Sequence, residues 1–352
     1  MILSIMSFTA KGIILSEKVA KVLGDIDCNI YTKCSRYSSA DHLAQYIEDS
    51  IVDWSGRQFE ERNAILFIGA CGIAVRAIAP HITDKLKDIP VLVMDEMGQF
   101  VIPVLSGHVG GANELAATIG KATGAKPVIT TATDINNRFA IDLFAKNNEL
   151  TITDKDGIAK VSSKVLSGED ITISIEQGHF DIKSTIPSYV KIVDYPPLNE
   201  VDVVITSENA EFNSSLILKP KEYVIGIGCR KGKEIDIIDR YIIKHLQKAG
   251  ISLDRIAGIA SIDVKKDEPG IVAFSKRADI SFITYSAEEL RCVEGDFHRS
   301  EFVKQQVGVD NVCERAALKL CGPGGELTYD KRAEDGMTIA IAKRVWRVTF
   351  DE

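Results

Sequence analysis

The sequence predicts an α/β protein built as two α/β units with a smaller middle segment between them. Three observations carry this. Short apolar runs alternate with helical patterns toward both ends of the chain. Strand-like runs there feed glycine-rich loops that open onto helices. A tract broken by Pro187, Pro196, Pro197 and Pro220 separates the two ends. At 352 residues the chain exceeds one typical domain. The expected divisions are an N-terminal α/β domain over 1–135, a middle domain and linker over 136–221, and a C-terminal α/β domain over 222–352.

In order, residues 2–8 predict a strand, and a helix near 17–23 follows Lys11 and Gly12. Residues 64–69 (AILFIG) predict a buried strand that turns through Gly69–Gly72 into a short helix stopped by Pro80. Residues 91–94 and 100–105 predict a hairpin around Gly98. The loop Ser106–Gly111 leads into a helix with Leu115 and Ile119 on one face, and 127–134 predict a strand followed by polar loop. A helix at 140–148, a strand at 170–176 and short proline-broken strands fill the middle. Tyr223 opens a new strand. Ile235, Ile238, Ile242 and Leu246 then make one helical stripe that stops at Gly250. Strands at 256–263 and 281–286 flank a helix at 270–278, a helix covers 312–320, and a long strand over 337–348 closes the chain.

The composition is that of an ordinary globular protein: 45% hydrophobic and 26% charged residues supply a sizeable core. The net charge of −8 argues against a general nucleic-acid binder. A local basic cleft for an anionic small ligand remains compatible with it. Seven cysteines without C-x-x-C spacing predict free thiols in a reducing compartment. The apolar start lacks a basic n-region and a cleavage site, and no run approaches the ~18 apolar residues of a membrane span. A cytoplasmic protein without membrane contact is expected.

Four clusters carry candidate chemistry. In Ser106–Asn113 (SGHVGGAN), three glycines permit close backbone approach, and the N–H groups ahead of a helix suit a carboxylate or a developing oxyanion. His108 within it suits general acid–base work; the plain alternative is a tight turn with an exposed histidine. Gly69–Arg76 repeats the layout, with Arg76 expected in the first helical turn as a carboxylate fork and Lys85 shortly after. Asp95 and Glu96 at a strand end either polarise a histidine or serve the hairpin turn. Gly226–Gly232 (GIGCRKG) lacks the glycine that a dinucleotide fingerprint needs at position 231. It is better taken as an anion loop, with Gly228, Arg230 and Lys231 at its centre and Cys229 packed. Lys265 follows a later strand end. His42, His81, His108, His179, His245 and His298 show no metal-ligand spacing, so no protein-built metal site is expected.

Together these stretches resemble one family. Gly72–Pro80, Asp84-Lys85, Val93–Ala116 and Val128–Asp134 look like the N-terminal region of cobalt-precorrin-5A hydrolases, the CbiG family of the anaerobic cobalamin pathway. Val224–Glu234, Ala260–Gly270, Glu289-Leu290, Ser300–Val303, Val307–Leu318 and Thr338–Lys343 look like its C-terminal domain, which also resembles small stand-alone proteins of the aerobic pathway. The resemblance is weakest over 140–220. It implies hydrolysis of a δ-lactone on a ring-contracted cobalt corrinoid, with loss of acetaldehyde. The cobalt arrives within the substrate, so no further cofactor is expected.

Reaction chemistry then assigns roles. His108 is the base, oriented by Asp95 or Glu96, with the Gly110 and Gly111 N–H groups as oxyanion donors. Gly72, Arg76, Lys85, Ser106, Gly107, Asn113, Gly228, Cys229, Arg230, Lys231 and Lys265 form the substrate surface, its cations holding carboxylates. The expected partner is the cobalt corrinoid intermediate, in an oligomer or in transient contact with neighbouring pathway enzymes. The rival from another class is a non-catalytic corrinoid-binding or hand-over protein. A weaker third is a nucleotide-binding or methyl-transfer enzyme.

Overall fold

The computed structural model describes residues 2–35, 42–135, 138–299 and 301–351; Ser300 of the stretches above lies outside them. The chain forms two compact units, Met1–Leu143 and Phe144–Glu352. Among the described residues its strands make three separate mixed sheets.

The first unit contains β1 (Ile2–Ser7), α1 (Ala10–Val22), β2 (Asp27–Thr32), β3 (Gln45–Tyr46), α2 (Ile51–Glu61), β4 (Ala64–Ile68), α3 (Cys71–Ile78), β5 (Val91–Met94), β6 (Phe100–Leu105), α4 (Ala112–Thr123), β7 (Lys126–Pro127) and α5 (Ala132–Ile135). Helix α6 (Ile141–Asn147) crosses the boundary between the units. The sheet order is β3-β2-β1-β4-β5-β6-β7. Strands β2, β1, β4 and β5 run parallel, and β6 is antiparallel to β5. Because β4 is buried on both faces, its sequence is apolar without alternation. Leu66 and Ile68 pack with Val19 of α1 and with Leu115 and Ile119 of α4. Ile65 and Phe67 face Trp54 of α2 and Ala74 and Ile78 of α3.

Helix α1 starts well before the expected residue 17. Thr9 caps it by accepting the Gly12 N–H at 3.0 Å, so Lys11 and Gly12 lie inside the helix. After α4, Lys126 and Pro127 pair with β6, so the strand expected from 127 is regular only at its first residue.

The second unit opens with β8 (Leu150–Ile152), α7 (Lys155–Leu166), β9 (Ile171–Ile175), β10 (Val190–Val193), β11 (Val201–Ile205) and β12 (Ser214–Pro220). Their sheet has the order β10-β9-β11-β12-β8. Then come β13 (Tyr223–Cys229), α8 (Ile235–Ala249), β14 (Ile256–Ile262), α9 (Pro269–Ala278), β15 (Ser281–Tyr285), α10 (Ala287–Arg291), α11 (Glu301–Val307), α12 (Cys313–Cys321), β16 (Glu326–Glu334) and β17 (Met337–Lys343). This third sheet has the order β15-β14-β13-β17-β16. Helices α8 and α9 cover one face and α12 the other. Gly250 ends α8 in the left-handed region, φ 67°, as its sequence predicts.

The last strand is shorter than the predicted 337–348. It ends at Lys343, after which Val348 bridges to Phe180 and the Trp346 ring stacks on His179 at 3.8 Å. The apolar residues of the tail thus belong to the neighbourhood of the middle sheet.

Candidate functional site

The antiparallel turn between β5 and β6 decides which candidate residues meet in the first unit. Met94 pairs with Val101 and Val91 with Leu105, so the two ends of β6 lie at opposite edges of the sheet. Asp95 and Glu96 sit at the edge where β1, β4 and β5 end, beside Gly69, whose N–H reaches the Met94 carbonyl at 2.9 Å. Ser106–Gly111 sits at the other edge. Six residues of β6 at about 3.4 Å each put roughly 20 Å between them.

Asp95 and Glu96 therefore do not orient His108. Both Asp95 oxygens serve the hairpin: Oδ1 accepts the Met97 N–H at 2.8 Å, and Oδ2 accepts those of Gln99 and Phe100 at 2.8 and 2.6 Å. Glu96 is hydrogen-bonded to the Thr9 hydroxyl. Gly72 and Arg76 belong to that distant edge as well. Because α3 begins at Cys71, Arg76 falls in its last turn, where Nη1 donates back to the Gly72 carbonyl at 2.9 Å.

The edge that holds His108 is closely built. Ser106 takes a positive φ of 57°, and its hydroxyl donates to the Asp88 carbonyl at 2.7 Å. That bond ties the loop to the turn bearing exposed Lys85, whose backbone is organised by buried Asp88 accepting the Thr83 and Asp84 N–H groups. A Cβ on Gly110 would lie 2.3 Å from the Ser106 Cβ, so glycine is required there by contact. The Ala112 and Asn113 N–H groups donate to the Ser106 and Gly107 carbonyls, both at 3.0 Å. Gly111, φ 87°, donates its N–H to the His108 carbonyl at 2.9 Å. That internal bond removes Gly111 from the expected oxyanion donors; Gly110 keeps the candidacy. Val128 continues beside β6, its N–H on the Val101 carbonyl at 2.9 Å, and the Asn113 amide donates to the Thr131 hydroxyl at 3.2 Å.

The acidic partner of His108 is Asp142, on α6. The His108 Nδ1 lies 3.5 Å from Asp142 Oδ1, with both side chains largely shielded from solvent. Burial opposes charge on Asp142, but the hydrogen bond and charge of His108 and the Leu143 N–H outweigh it and hold the carboxyl below its ordinary range. Sequence reasoning missed Asp142 because nothing local marks it. The available signal was an acidic residue in the first turn of the predicted helix at 140.

In the second unit, the glycines of β13 prove to be packing residues. A Cβ on Gly226 would stand 1.8 Å from the Cys313 carbonyl oxygen, and one on Gly228 2.7 Å from Thr338 Oγ1. Burial pushes the Cys229 thiol up, with Lys265 pulling the other way, which keeps it a protonated, packed side chain. Lys265 is not open to a ligand: its Nζ lies 2.9 Å from Glu268 Oε2, both side chains mostly buried. Glu268 Oε1 in turn accepts the Gly232 N–H at 2.6 Å. The pair thus fixes the loop that presents exposed Arg230 and Lys231. Arg230 faces an open cavity of about 790 Å³, also lined by Lys233, Arg240, Lys244 and Tyr241. Glu334 and Asp335 lie at the same cavity, where Glu334 engages Lys244 at 2.6 Å. Lys233, Arg240 and Lys244 were not singled out from sequence, where they look like solvated helix-face charges.

Among the described residues no helix is long and apolar enough to cross a membrane. Residues 53–134 match the family described as Cobalamin synthesis G N-terminal, and 223–342 that described as Cobalamin synthesis G C-terminus. The cobalt-precorrin-5A hydrolase of Salmonella typhimurium is 35% identical over 295 residues, covering 80% of this chain and 82% of that protein. The protein of the same name from Priestia megaterium is 28% identical over 355 residues, covering 96% and 94%. Protein CobE of Sinorhizobium sp. is 27% identical over 120 residues, covering 34% and 78%.

Proposed function

The chain belongs to the cobalt-precorrin-5A hydrolase family, and from that premise we propose that it opens the δ-lactone of cobalt-precorrin-5A and releases acetaldehyde to give cobalt-precorrin-5B. The observation that carries the chemistry is the shielded pairing of His108, in the glycine loop, with Asp142 of α6. His108 takes a proton from water as it attacks the lactone carbonyl. Asp142 holds the imidazole by Nδ1 and offsets the charge that forms on it. The Gly110 N–H steadies the tetrahedral oxyanion. Ring opening frees a hydroxyl. Loss of its proton breaks the adjacent carbon–carbon bond, and the macrocycle with its cobalt, both substrate, receives the electron pair. We propose no cofactor beyond the substrate.

Each unit by itself offers cations that suit carboxylates: exposed Lys85 in the first, and exposed Arg230 and Lys231 with the cavity beside Arg230 in the second. A carboxylate beside His108 favours an enzyme over a hand-over protein, because a carrier needs no activated base. All seven cysteines are free, which supports a reducing compartment, and we propose the cytoplasm. The test is single-turnover acetaldehyde release by His108→Ala, with substrate binding followed separately by absorbance. The expected result is a loss of on the order of 10²–10⁴ in rate with binding retained. A wild-type rate from this variant overturns the assignment.

A further inference from the structure

The second unit holds another imidazole–carboxylate pair, which the sequence does not mark. Glu314, in the first turn of α12, is fully buried. Its Oε1 accepts the Lys331 N–H at 2.8 Å and lies 2.9 Å from the His298 Nδ1. Oε2 accepts the His298 N–H at 3.0 Å and a bond from the Asn311 amide. Asn311 is itself fully buried; its amide also donates to the His298 carbonyl at 2.9 Å, and its Oδ1 accepts the Glu314 N–H at 3.0 Å. Four donors thus converge on the two Glu314 oxygens and leave no place for a proton. A carboxylate only accepts, so the neutral His298 ring carries its proton on Nδ1 and keeps the lone pair on Nε2.

The imidazole is placed quite differently from its carboxylate. The His298 side chain is 63% exposed while that of Glu314 is 1% exposed. A buried carboxylate is costly, and an apolar core of the same volume is commonly as stable or more so. Here the buried charge fixes the tautomer of a ring that is open to solvent. The irregular segment bearing that ring is also pinned. Phe297 is buried, and the Arg315 guanidinium lies 4.3 Å from its ring centre while Nη1 donates to the Val293 carbonyl at 2.6 Å. Gly226 of β13 admits the Cys313 carbonyl, which a Cβ would meet at 1.8 Å, and so lets the start of α12 bring Glu314 into place. A metal-bound histidine is held in this same way, its second nitrogen on a carboxylate that fixes the tautomer and raises the basicity of the ligating atom. One histidine suffices when the metal arrives with ligands of its own, as cobalt does inside a corrinoid, where the macrocycle fills the equatorial positions and leaves an axial one to an outside base. Ligation therefore needs no cluster of metal-binding side chains, and the described residues contain none. The other histidines of the unit are engaged: His245 is buried, and the His179 ring lies with Nδ1 2.9 Å from the Trp346 carbonyl and Nε2 3.8 Å from Glu176. Lys331, whose Nζ lies 3.5 Å from the His298 carbonyl, sets a cation beside the ring for a peripheral carboxylate.

We propose that His298 is an axial ligand, through Nε2, to the cobalt of a corrinoid bound by the second unit, with Glu314 and Asn311 as its positioning residues. The proposed ligation rests on the reading of the substrate as a cobalt corrinoid and involves the second unit alone. It is a reversible exchange: Nε2 gives its lone pair to cobalt in place of a solvent water, which leaves. The ring proton stays on Nδ1, and no electron changes hands.

The test is electron paramagnetic resonance of the full-length protein mixed without oxygen with cobalt-precorrin-5A, its cobalt divalent, and acetaldehyde is measured in the same sample. In the wild type the cobalt lines are expected to be split by one axial nitrogen, and the splitting to change when the protein carries ¹⁵N-labelled histidine. His298→Asn keeps an amide donor for Glu314 but offers cobalt no lone pair on nitrogen, so it is expected to stay folded by thermal melting and to lose the splitting. His298→Ala, which does not mimic Nδ1, is expected to lose it as well. Glu314→Gln is expected to keep the splitting and weaken corrinoid binding by about 10–100-fold, which a role confined to stability does not produce in a folded protein. Corrinoid bound by the wild type without nitrogen splitting overturns the ligation, as does splitting that persists in a folded His298→Asn or His298→Ala protein. Acetaldehyde release without splitting leaves the lactonase reading standing and the ligation refuted; splitting that depends on His298 without acetaldehyde does the reverse.

Discussion

Replacing Asp142 by Asn tests whether the His108 pair works as drawn. Asn keeps the size and a hydrogen-bonding oxygen but removes the charge that offsets an imidazolium. Unit charges at the observed 3.5 Å interact by about 1 kcal/mol in water and about 5 kcal/mol at an effective dielectric of 20. At about 1.4 kcal/mol per decade of rate, the step that charges His108 should slow between about tenfold and a few thousandfold. The side-chain exposures of 13% and 18% favour the upper half of that range, because little solvent screens the pair. Single-turnover lactone opening is the assay, with corrinoid binding followed by absorbance. The slow step should appear with binding unchanged, and Asp142→Glu should recover part of the rate. Asp95→Asn should leave the rate of chemistry alone, since Asp95 holds the hairpin at the far edge. Wild-type opening by Asp142→Asn, or loss of binding in step with rate, refutes the positioning argument.

Other consequences follow from the same geometry. Gly110→Ala drives a methyl to 2.3 Å from the Ser106 Cβ; overpacking of this kind costs about 1–3 kcal/mol, so urea unfolding should show that loss and lactone opening should slow, and an unchanged midpoint contradicts the contact. Lys265→Ala strands the buried Glu268 carboxylate, with an expected loss of about 3–5 kcal/mol, and the double variant lacking Glu268 as well should recover part of it; a single variant as stable as wild type sinks the pairing. The carboxyls of Asp142, Glu268 and Glu314 are all held low in the fold. Their contribution is therefore complete above the unfolded values near ~4 and lost as pH falls through the folded values, so the melting temperature should be level near neutrality and drop in acid below about pH 4; a melting temperature that holds to about pH 2 would contradict this. Corrinoid affinity should weaken with added salt, since exposed charges such as Arg230 and Lys231 are screened beyond about 8 Å at physiological ionic strength; salt-independent binding contradicts the basic surface.

The sequence exposes much of the architecture because its cores are local in pattern. The unbroken apolar run of β4, the stripe of α8 with its terminal Gly250, and the strand–glycine–helix join at Ser106–Gly111 each state their conformation in a few residues. Partnership is what it hides. Asp142 stands 34 positions from His108 in sequence number, and nothing local in the sequence pairs the two. Asp95 and Glu96 lie nearer to His108 in sequence yet are carried to the opposite edge by an antiparallel strand. Lys265 looks like a free cation until Glu268 is placed beside it. The glycines of β13 resemble a ligand loop, but the backbone of α12 excludes a side chain at Gly226 and the Thr338 hydroxyl of β17 crowds one at Gly228. Strand length fails at the tail for the same reason: Trp346 and Val348 are apolar because they meet His179 and Phe180, not because β17 continues.

Turnover of the lactone is the central claim, and one incubation tests it most directly. Purified protein is mixed with cobalt-precorrin-5A, and the headspace aldehyde and the corrinoid mass are followed together. The expected result is one acetaldehyde per corrinoid and conversion of the macrocycle to cobalt-precorrin-5B, abolished or strongly slowed by His108→Ala. Tight binding with the lactone returned intact and no aldehyde would contradict it, and would make the protein a corrinoid carrier.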